Sequence, residues 1–401
     1  MPICLHLNYR DRLIPAGEMP VIDCEIGHDC KTGCAGILRA VLKNGHGQEI
    51  ASLFRAVQDG SGQASHEILS FTPTDPGFYS VQVDFSADAP SRTEQARISF
   101  GYAPEKIAPK RPCPGDFLEF WNESRKQLEQ IPPCWKVIDM DDPSRPDVKT
   151  SLVEFTGWGH IRVRGWYVRP AGSGRYPALI QFPGHGASLV PNYNWPELAV
   201  FSLNIRGHGN SQDQINPGFP GFLTHGIGSR ENYIYRGVYL DCLRSIQFLR
   251  TRPEIEPSRI VTEGHSQGGA LALISAALDQ QIAFCLPDVP FLADFDFYLQ
   301  QGEWPRSEFD AFLSNHPSDR EGLLSVLAYF DVVNFTPLIG CPVLMATGLN
   351  DIVCPPAIAF AAHNWIIAPK ELIIYPDGDH NTTVLQHARP KREWLLNRIT
   401  R

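Results

Sequence analysis

A five-residue turn near the middle of the chain constrains the fold more than any other feature. Residues 264–268 read Gly-His-Ser-Gln-Gly, after a β-branched run at 259–263 and before an Ala- and Leu-rich run at 269–277. This strand–turn–helix context is the one that a nucleophile elbow requires, because a Cβ at either glycine would clash in so sharp a turn. The pattern therefore predicts Ser266 as a nucleophile, with an ordinary glycine loop as the alternative.

The predicted elbow limits where the other reacting groups can lie. A helix that begins at the turn presents backbone N–H groups and its positive dipole end beside Ser266, where an oxyanion is stabilised. A serine hydroxyl also needs a base that a carboxylate orients. In chains with such an elbow the order is serine, acid, histidine, so the partners are expected downstream of the turn.

Two candidate partners follow the ends of predicted strands. The apolar run 342–348 ends shortly before Asp351, and the run 371–375 ends shortly before His380. Because the carboxyl ends of parallel strands meet at one edge of a sheet, we expect Asp351 to be the orienting acid and His380 the base.

Plainer explanations stay open for each candidate. Asp351 could cap the helix that follows it, and His380 is one of thirteen histidines. Asp377 and Asp379 are nearer to His380 in the sequence, but they lie in a Pro-Asp-Gly-Asp turn, which is typical of solvated turn formers. The shared chain order and strand-end placement favour the first pair.

Length, charge and cysteine spacing exclude several classes of protein. A chain of 401 residues is expected to form two domains. The net charge of −9, without a basic patch, argues against a nucleic-acid partner. No apolar run approaches the length of a membrane span, and no secretory signal pattern opens the chain. Ten cysteines without a framework of spacings indicate reduced thiols, so we expect a cytoplasmic protein without a membrane partner.

The character of the chain changes once along its length. Residues 1–102 contain seven short alternating runs separated by turn residues, which predicts an all-β, immunoglobulin-like sandwich. A proline-bearing linker occupies 103–114. From 115 to 401, a helix at 116–130 is followed by alternating strands and helices, which predicts an α/β domain with a mostly parallel sheet covered on both faces.

The individual elements of the second domain can also be predicted. Strands are expected at 151–155, 161–168, 178–182, 198–204, 260–263, 343–348 and 371–375. Helices are expected at 236–251, 268–277, 355–363 and 389–399. Two glycine-rich loops, 183–186 and 206–209, follow early strands; the first lies where a second oxyanion donor is needed, although either could be only a turn.

Several stretches of the second domain resemble the acetyl xylan esterase/cephalosporin C deacetylase family, carbohydrate esterase family seven. The Ser-Gln-Gly-Gly and Asp-x-x-Cys-Pro-Pro motifs are the most specific of them. The resemblance covers about 112–400 and leaves residues 1–101 outside. The stretches that carry it are 116–121, 181–186, 206–209, 221–227, 235–241, 264–269, 287–292, 329–331 and 348–356.

The resemblance implies an α/β-hydrolase fold with Ser266 as nucleophile, Asp351 as acid and His380 as base. It further implies oxyanion donors at the backbone N–H groups of Gln267 and His185. The expected reaction removes small acyl groups, chiefly acetyl, from sugar hydroxyls without metal or cofactor, and the family's hydrolases assemble as homo-oligomers.

Three positions depart from the family's motifs. Arg206-Gly207-His208 stands where the family has Arg-Gly-Gln, and His185 stands where it has Tyr. His380 is followed by Asn381 rather than by Glu, which removes a carboxylate expected to pair with the arginine. His208, Arg206, Pro290 and Phe291 are the candidates for the substrate pocket.

Three functions are compatible with these observations. The first is a serine esterase that deacetylates xylo-oligosaccharides or similar sugar esters. The second is a related hydrolase of other ester, thioester or peptide bonds, which the three departures motivate. The third is a carbohydrate-binding or assembly protein with a degenerate hydrolase domain, against which the intact Ser266, Asp351 and His380 argue.

Overall fold

The computed structural model describes residues 3–27, 34–59, 64–88, 92–316 and 319–399. The chain forms two compact units. The first comprises Met1–Ala108 with Gly348–Asp351 and Ile374–Asp379, and the second comprises Pro109–Thr347, Ile352–Ile373 and His380–Arg401.

The first unit is built from eight strands in its described part. Its two sheets have the orders β1-β3-β6 and β2-β8-β7-β4-β5, and every pairing is antiparallel except that of β2 with β8. All seven predicted strands are present; β2 was missed because two residues are too short for an alternating pattern. The strands are β1 Ile3–Leu7, β2 Leu13–Ile14, β3 Val21–Ile26, β4 Cys34–Asn44, β5 Glu49–Asp59, β6 Ser65–Ser70, β7 Gly77–Ala87 and β8 Arg92–Tyr102.

Alternation along the strands gives the first unit one core between its two sheets. Val81, Val83 and Phe85 of β7 are fully buried, and they share a cluster with Ile22 and Cys24 of β3 from the other sheet. Successive residues of a strand point to opposite faces, so each sheet contributes one apolar face to this core. The predicted sandwich is confirmed.

The second unit contains a nine-stranded sheet of order β17-β16-β15-β14-β12-β13-β11-β10-β9. Strands β13, β12, β14, β15 and β16 pair in parallel, whereas β11, β10 and β9 continue the sheet in antiparallel pairs. The strands are β9 Lys136–Asp139, β10 Val148–Thr156, β11 Arg162–Pro170, β12 Tyr176–Phe182, β13 Ala199–Asn204, β14 Ile255–His265, β15 Phe284–Asp288, β16 Val343–Gly348 and β17 Lys370–Tyr375.

The predicted strands of this unit are all present, and two strands were missed. Strand β9 has only four residues, and its two apolar residues are adjacent, so it shows no alternating pattern. Strand β15 has only five residues and includes Pro287 and Asp288, which are depleted in strands.

Helices cover both faces of the sheet. Val261 and Thr262 are neighbours in β14 and point to opposite faces of the sheet. Val261 packs in a cluster with Leu395 of α9, whereas Thr262 Oγ1 donates to the carbonyl of Ala272 in α3. The helices are α1 Phe117–Glu129, α2 Ile234–Thr251, α3 Gln267–Leu278, α4 Phe295–Gln301, α5 Ser307–Asn315, α6 Arg320–Leu327, α7 Val332–Phe335, α8 Pro356–Trp365 and α9 Ala388–Ile399.

The sequence predicted α1, α2, α3, α8 and α9 but not the four helices between β15 and β16. Those helices have four to nine residues each, too short for a clear helical period. Among the described residues, no helix is both long and apolar enough to cross a bilayer.

Candidate active site

The turn at 264–268 joins β14, which ends at His265, to α3, which begins at Gln267. Ser266 has φ 59° and ψ −121°, a strained conformation for a residue with a side chain. A Cβ on Gly264 would lie 2.3 Å from the carbonyl carbon of Gly268, and one on Gly268 would lie 2.3 Å from the carbonyl oxygen of Phe182. Both positions therefore require glycine, for the reason that the sequence suggested.

Backbone hydrogen bonds hold Ser266 in this conformation. Its N–H donates to the carbonyl of Asp288 at 3.0 Å, and its carbonyl accepts from the N–H of Phe291 at 3.1 Å. Its hydroxyl oxygen lies 3.7 Å from Sγ of Cys354, three residues after Asp351. The serine is 8% exposed, so the nucleophile candidate is almost fully buried.

His380 lies beside the elbow. Nε2 of His265 is 2.8 Å from the carbonyl oxygen of His380, and the two rings meet edge to face with centroids 4.6 Å apart. Because a carbonyl only accepts, His265 donates through Nε2. The residue that precedes the nucleophile thus fixes the backbone of the base candidate, a role of His265 that the sequence gave no reason to expect.

Asp351 is buried in a loop that follows β16. The N–H groups of Leu349 and Asn350 donate to the carbonyls of Tyr375 and Gly378, at 3.1 and 2.9 Å. A Cβ on Gly348 would lie 2.4 Å from the Gly378 carbonyl oxygen, so these two loops could not approach so closely with a larger residue. The hydrogen bonds of a Ser-His-Asp triad stay a prediction.

The alternative acids of the Pro-Asp-Gly-Asp turn lie in solvent. The side chain of Asp377 is 82% exposed, and its Oδ1 accepts from Nη1 of Arg12 at 2.8 Å. Asp379 is exposed as well. Asp377 thus already has a surface ion-pair partner, which agrees with its interpretation as a turn residue.

The loop that carries His185 packs against the start of α3. Nε2 of Gln267 donates to the carbonyl of Pro183 at 3.3 Å, while its Oε1 accepts from the Tyr235 hydroxyl. Across the described parts of the chain, the backbone N–H groups of Gln267 and His185 have no hydrogen-bond acceptor. Two unsatisfied donors close to a strained serine are what an oxyanion hole needs.

His208 is fully buried and contacts both the loop that carries His185 and the start of α3. Its Nε2 accepts from the N–H of Gly186 at 3.2 Å and lies 3.2 Å from Nε2 of Gln267. Burial, together with the nearby His185, lowers the pKa of His208 to about 3. The imidazole is therefore neutral, with its proton on Nδ1, 3.4 Å from the carbonyl of Arg206. Its 1% exposure favours a supporting role over contact with substrate.

Arg206 is buried too, and its partner is a carboxylate from α2. Its Nε and Nη2 donate to the two oxygens of Asp241 at 2.7 and 2.8 Å, and Nη2 also reaches the carbonyl of Trp158. Such bidentate pairs are rigid. In this chain, the carboxylate that pairs with Arg206 is therefore that of Asp241.

Pro290 and Phe291 follow β15 next to the elbow and are both buried. The Phe291 ring meets Tyr298 edge to face at 4.9 Å. The Phe291 N–H contacts the elbow directly through its bond to the Ser266 carbonyl. Phe291 therefore acts on the site through its backbone, whereas the assignment of both residues to a substrate pocket stays a prediction.

The side chain of His185 has a partner that the sequence did not indicate. Its Nε2 lies 2.8 Å from Oε1 of Glu308, in the first turn of α5. The second oxygen, Oε2, accepts the N–H groups of Gly221 and Leu223 at 2.8 and 2.9 Å. Burial alone would raise the pKa of Glu308, but these bonds outweigh it and lower the pKa, so the carboxylate stays ionised.

A buried charge cluster lies behind the elbow. Nζ of Lys391 in α9 is 2.6 Å from Oε1 of Glu263 and 2.8 Å from Oδ2 of Asp288. Burial opposes the charge on Lys391, yet the two carboxylates raise its pKa. Asp288 is also the residue whose carbonyl holds the Ser266 N–H, so the cluster supports the turn.

Comparison with known proteins identifies the family of this chain. Residues 104–398 match the family described as Acetyl xylan esterase (AXE1). The chain belongs to the acetyl xylan esterase family. It is accordingly a carboxylic ester hydrolase with an α/β-hydrolase fold, as the motifs around Ser266 and Asp351 predicted.

Three relatives illustrate the similarity. The acetyl esterase Axe7A of Xylanibacter ruminicola is 28% identical over 322 residues, which cover 77% of this chain and 72% of that protein. The structure of the acetyl xylan esterase from Paenibacillus sp. R4 is 31% identical, with a TM-score of 0.69, covering 73% of this chain and 98% of that one. Acetyl xylan esterase 1 from Thermoanaerobacterium sp. is 28% identical, with a TM-score of 0.68, covering 73% and 97%.

Proposed function

We propose that the protein is a serine esterase that removes acetyl groups from carbohydrates such as acetylated xylo-oligosaccharides. The observation that carries the proposal is the strained Ser266 between β14 and α3, beside two backbone N–H groups without acceptors in the described chain. The printed names of the relatives, an acetyl esterase and two acetyl xylan esterases, support the choice of acyl group and substrate.

The proposed reaction has two steps through an acyl-enzyme. His380 takes the proton of Ser266 as Oγ attacks the acetyl carbonyl, and the oxyanion accepts from the N–H groups of Gln267 and His185. His380 then returns the proton to the departing sugar oxygen. Water, deprotonated by His380, attacks the acetyl-serine, and acetate leaves as Ser266 recovers its proton.

Asp351 would orient the imidazole and stabilise its protonated form. Its burial and the hydrogen-bonded loop that carries it support this role, because an orienting group must itself be fixed. Asp377, exposed and paired with Arg12, lacks both properties.

The test is acetate release from acetylated xylo-oligosaccharides, compared with a p-nitrophenyl ester series from acetyl to octanoyl. We expect acetate release and a preference for acetyl. A preference for acyl chains longer than butyryl would contradict the acetyl preference. Faster cleavage of thioesters or peptides would contradict the proposal and favour the alternative, a related hydrolase of those bonds.

A further inference from the structure

Glu308 connects two loops that come from different parts of the chain. It lies in the first turn of α5, and its side chain is 2% exposed. Oε1 lies 2.8 Å from Nε2 of His185, and Oε2 accepts the N–H groups of Gly221 and Leu223 at 2.8 and 2.9 Å. Because both oxygens are bonded, one buried carboxylate fixes the position of each loop relative to α5.

The turn that carries His185 has little rigidity of its own. Gly184 and Gly186 flank the histidine, and Gly186 has φ 73°; glycine restricts its backbone less than any other residue. The carbonyl of Gly184 accepts the N–H of Ala187 at 3.1 Å, a bond within the turn itself. The direction of the His185 N–H, the oxyanion donor of the proposed mechanism, therefore depends on what ties the turn to other segments.

The bond to Glu308 is the shortest side-chain hydrogen bond that ties this turn to another segment of the described chain. It measures 2.8 Å, against 3.2 Å from the Gly186 N–H to Nε2 of His208 and 3.3 Å from Nε2 of Gln267 to the Pro183 carbonyl. Hydrogen bonds to an ionised group are also about twice as strong as bonds between neutral groups. We therefore expect Glu308 to be the main anchor of the turn.

Glu308 also arranges the rings against which the imidazole packs. The N–H groups of both chain neighbours of Phe222 donate to Oε2 of Glu308. The Phe222 ring is fully buried, with its centroid 6.1 Å from that of His185, and Phe219, stacked on Phe222, lies 4.8 Å from His185. The same carboxylate thus holds the imidazole and the aromatic surface beside it.

We infer that Glu308 is a positioning residue, which sets the direction of the His185 backbone N–H by anchoring the imidazole to α5. The inference rests on the proposed esterase function, because it concerns the oxyanion donor of that mechanism. Glu308 acts through His185 and needs no contact with the substrate. Its loss should slow the chemical step and leave substrate binding almost unchanged, since the oxyanion forms only as the transition state is approached.

Glu308→Gln and His185→Phe remove the anchor by different changes. In Glu308→Gln the amide oxygen can keep the N–H groups of Gly221 and Leu223, while the amide nitrogen cannot accept from Nε2 of His185. His185→Phe keeps a ring among the aromatic neighbours but removes the donor. We expect each variant to lower kcat on p-nitrophenyl acetate by about 10- to 100-fold, with little change in KM.

His185→Gln is the conservative variant that should retain the function. Its side-chain amide can donate to Oε1 of Glu308, so kcat should stay close to that of the wild type; a variant as slow as His185→Phe would overturn the inference. This comparison leaves Glu308 unchanged, so it decides the matter even where Glu308→Gln does not fold.

The double variant, Glu308→Gln with His185→Phe, measures the coupling between the two side chains. Both changes break the same contact, so the double variant should lose no more rate than the slower single variant. Losses that multiply would mean that the two residues act independently, which also overturns the inference.

Inhibition by trifluoroacetone separates positioning from a general loosening of the site. This ketone forms a tetrahedral adduct with a serine nucleophile, and the adduct oxygen occupies the place of the oxyanion. If Glu308 positions a donor, Ki for trifluoroacetone should rise in Glu308→Gln by the same factor by which kcat/KM falls. A loosened site would instead raise KM and lower the urea midpoint, with Ki rising no more than KM, and that result would overturn the inference.

Glu321→Gln is the matched control. Glu321 lies in the first turn of α6, as Glu308 does in α5, but its side chain is 74% exposed and bonded to Arg111. Its kcat, KM and Ki should equal those of the wild type. Wild-type values in Glu308→Gln and His185→Phe as well would overturn the inference alone. A wild type that hydrolyses no acetyl ester, or activity that persists in Ser266→Ala, would overturn the proposed function itself.

Discussion

Nε2 of His265 donates to the carbonyl oxygen of His380 at 2.8 Å, so the residue before the nucleophile candidate holds the backbone of the base candidate. This bond uses the backbone of His380, while its imidazole packs edge to face on the His265 ring with centroids 4.6 Å apart. A small displacement of a catalytic group costs up to about 10²-fold in rate. The pair therefore sets the geometry of the proposed proton transfer.

His265→Phe should lower kcat by about 10- to 100-fold with little change in KM, because the ring packing is kept while the donor is lost. His265→Gln, whose amide can still donate, is the matched variant and should retain most of the activity. Steady-state kinetics on p-nitrophenyl acetate measure both. Equal, wild-type kcat values for the two variants would show that this hydrogen bond has no part in catalysis.

Ser266→Ala should abolish ester hydrolysis, with a loss of about 10⁵–10⁶-fold in kcat. Alanine keeps the Cβ, so it has the same strain at φ 59°, and the melting temperature should change little. A fluorophosphonate probe should label the wild type only, as mass spectrometry of the intact protein would report. Labelling of the variant at another residue would mean that the nucleophile has been misassigned.

Asp351→Asn should reduce kcat by about 10⁴-fold, because the imidazole loses both its orientation and the charge that stabilises its protonated form. Asp377→Asn is the control: its exposed pair with Arg12 contributes about 1 kcal/mol or less to stability, and activity should persist. The opposite result, an inactive Asp377→Asn and an active Asp351→Asn, would assign the orienting acid to the turn before His380.

His208 should make the folded state sensitive to acid. Burial lowers its pKa to about 3 in the folded protein, against about 6.5 in the unfolded chain. Between these values only the unfolded state binds the proton. The stability contributed by neutral His208 is therefore complete above about pH 6.5 and falls as pH drops towards 3, by about 1.4 kcal/mol per pH unit.

His208→Gln should flatten this dependence, since glutamine does not titrate. Urea midpoints measured from pH 4 to pH 7 should therefore change less per pH unit in this variant than in the wild type. His225→Gln, at an exposed histidine, should keep the wild-type slope. Indistinguishable slopes for His208→Gln and the wild type would mean that His208 is not held neutral.

The sequence predicted those parts of the site that depend on local pattern. The elbow is specified by two glycines between a β-branched run and a helix, and the structure has β14, the turn and α3 where they were expected. The loops of Asp351 and His380 were located because each follows an apolar strand. Near neighbours in the chain are sufficient for such predictions.

The supporting partners could not be predicted in this way. His185 and Glu308 are 123 positions apart, and Arg206 and Asp241 are 35 apart; no periodicity connects such pairs. Glu308 also lies in one of the short helices between β15 and β16 that the sequence did not reveal. Its role depends on tertiary packing, which brings α5 to the loop of His185.

Lys391 is a third residue whose partners are distant in the sequence, and its replacement should lower the stability of the fold. Its ammonium group lies between Glu263 and Asp288, whose carboxylates are almost fully buried. Lys391→Met would leave these two negative charges without a cation. Breaking a buried ion pair by removing one partner costs about 3–5 kcal/mol, so urea unfolding should shift to a markedly lower midpoint.

The same substitution should also lower kcat, because the backbone carbonyl of Asp288 accepts the N–H of Ser266.

The control is Lys370→Met. Lys370 donates to the carbonyls of His363 and Asn364 at the end of α8, so its removal leaves no buried charge and should cost about 1 kcal/mol of stability. The triple variant Lys391→Met with Glu263→Gln and Asp288→Asn should recover part of the stability, since neutral amides need no counter-charge. Equal urea midpoints and kcat values for Lys391→Met and Lys370→Met would contradict this prediction. The buried charges would then contribute nothing measurable to stability or to the position of Ser266, and the backbone hydrogen bonds alone would hold the elbow.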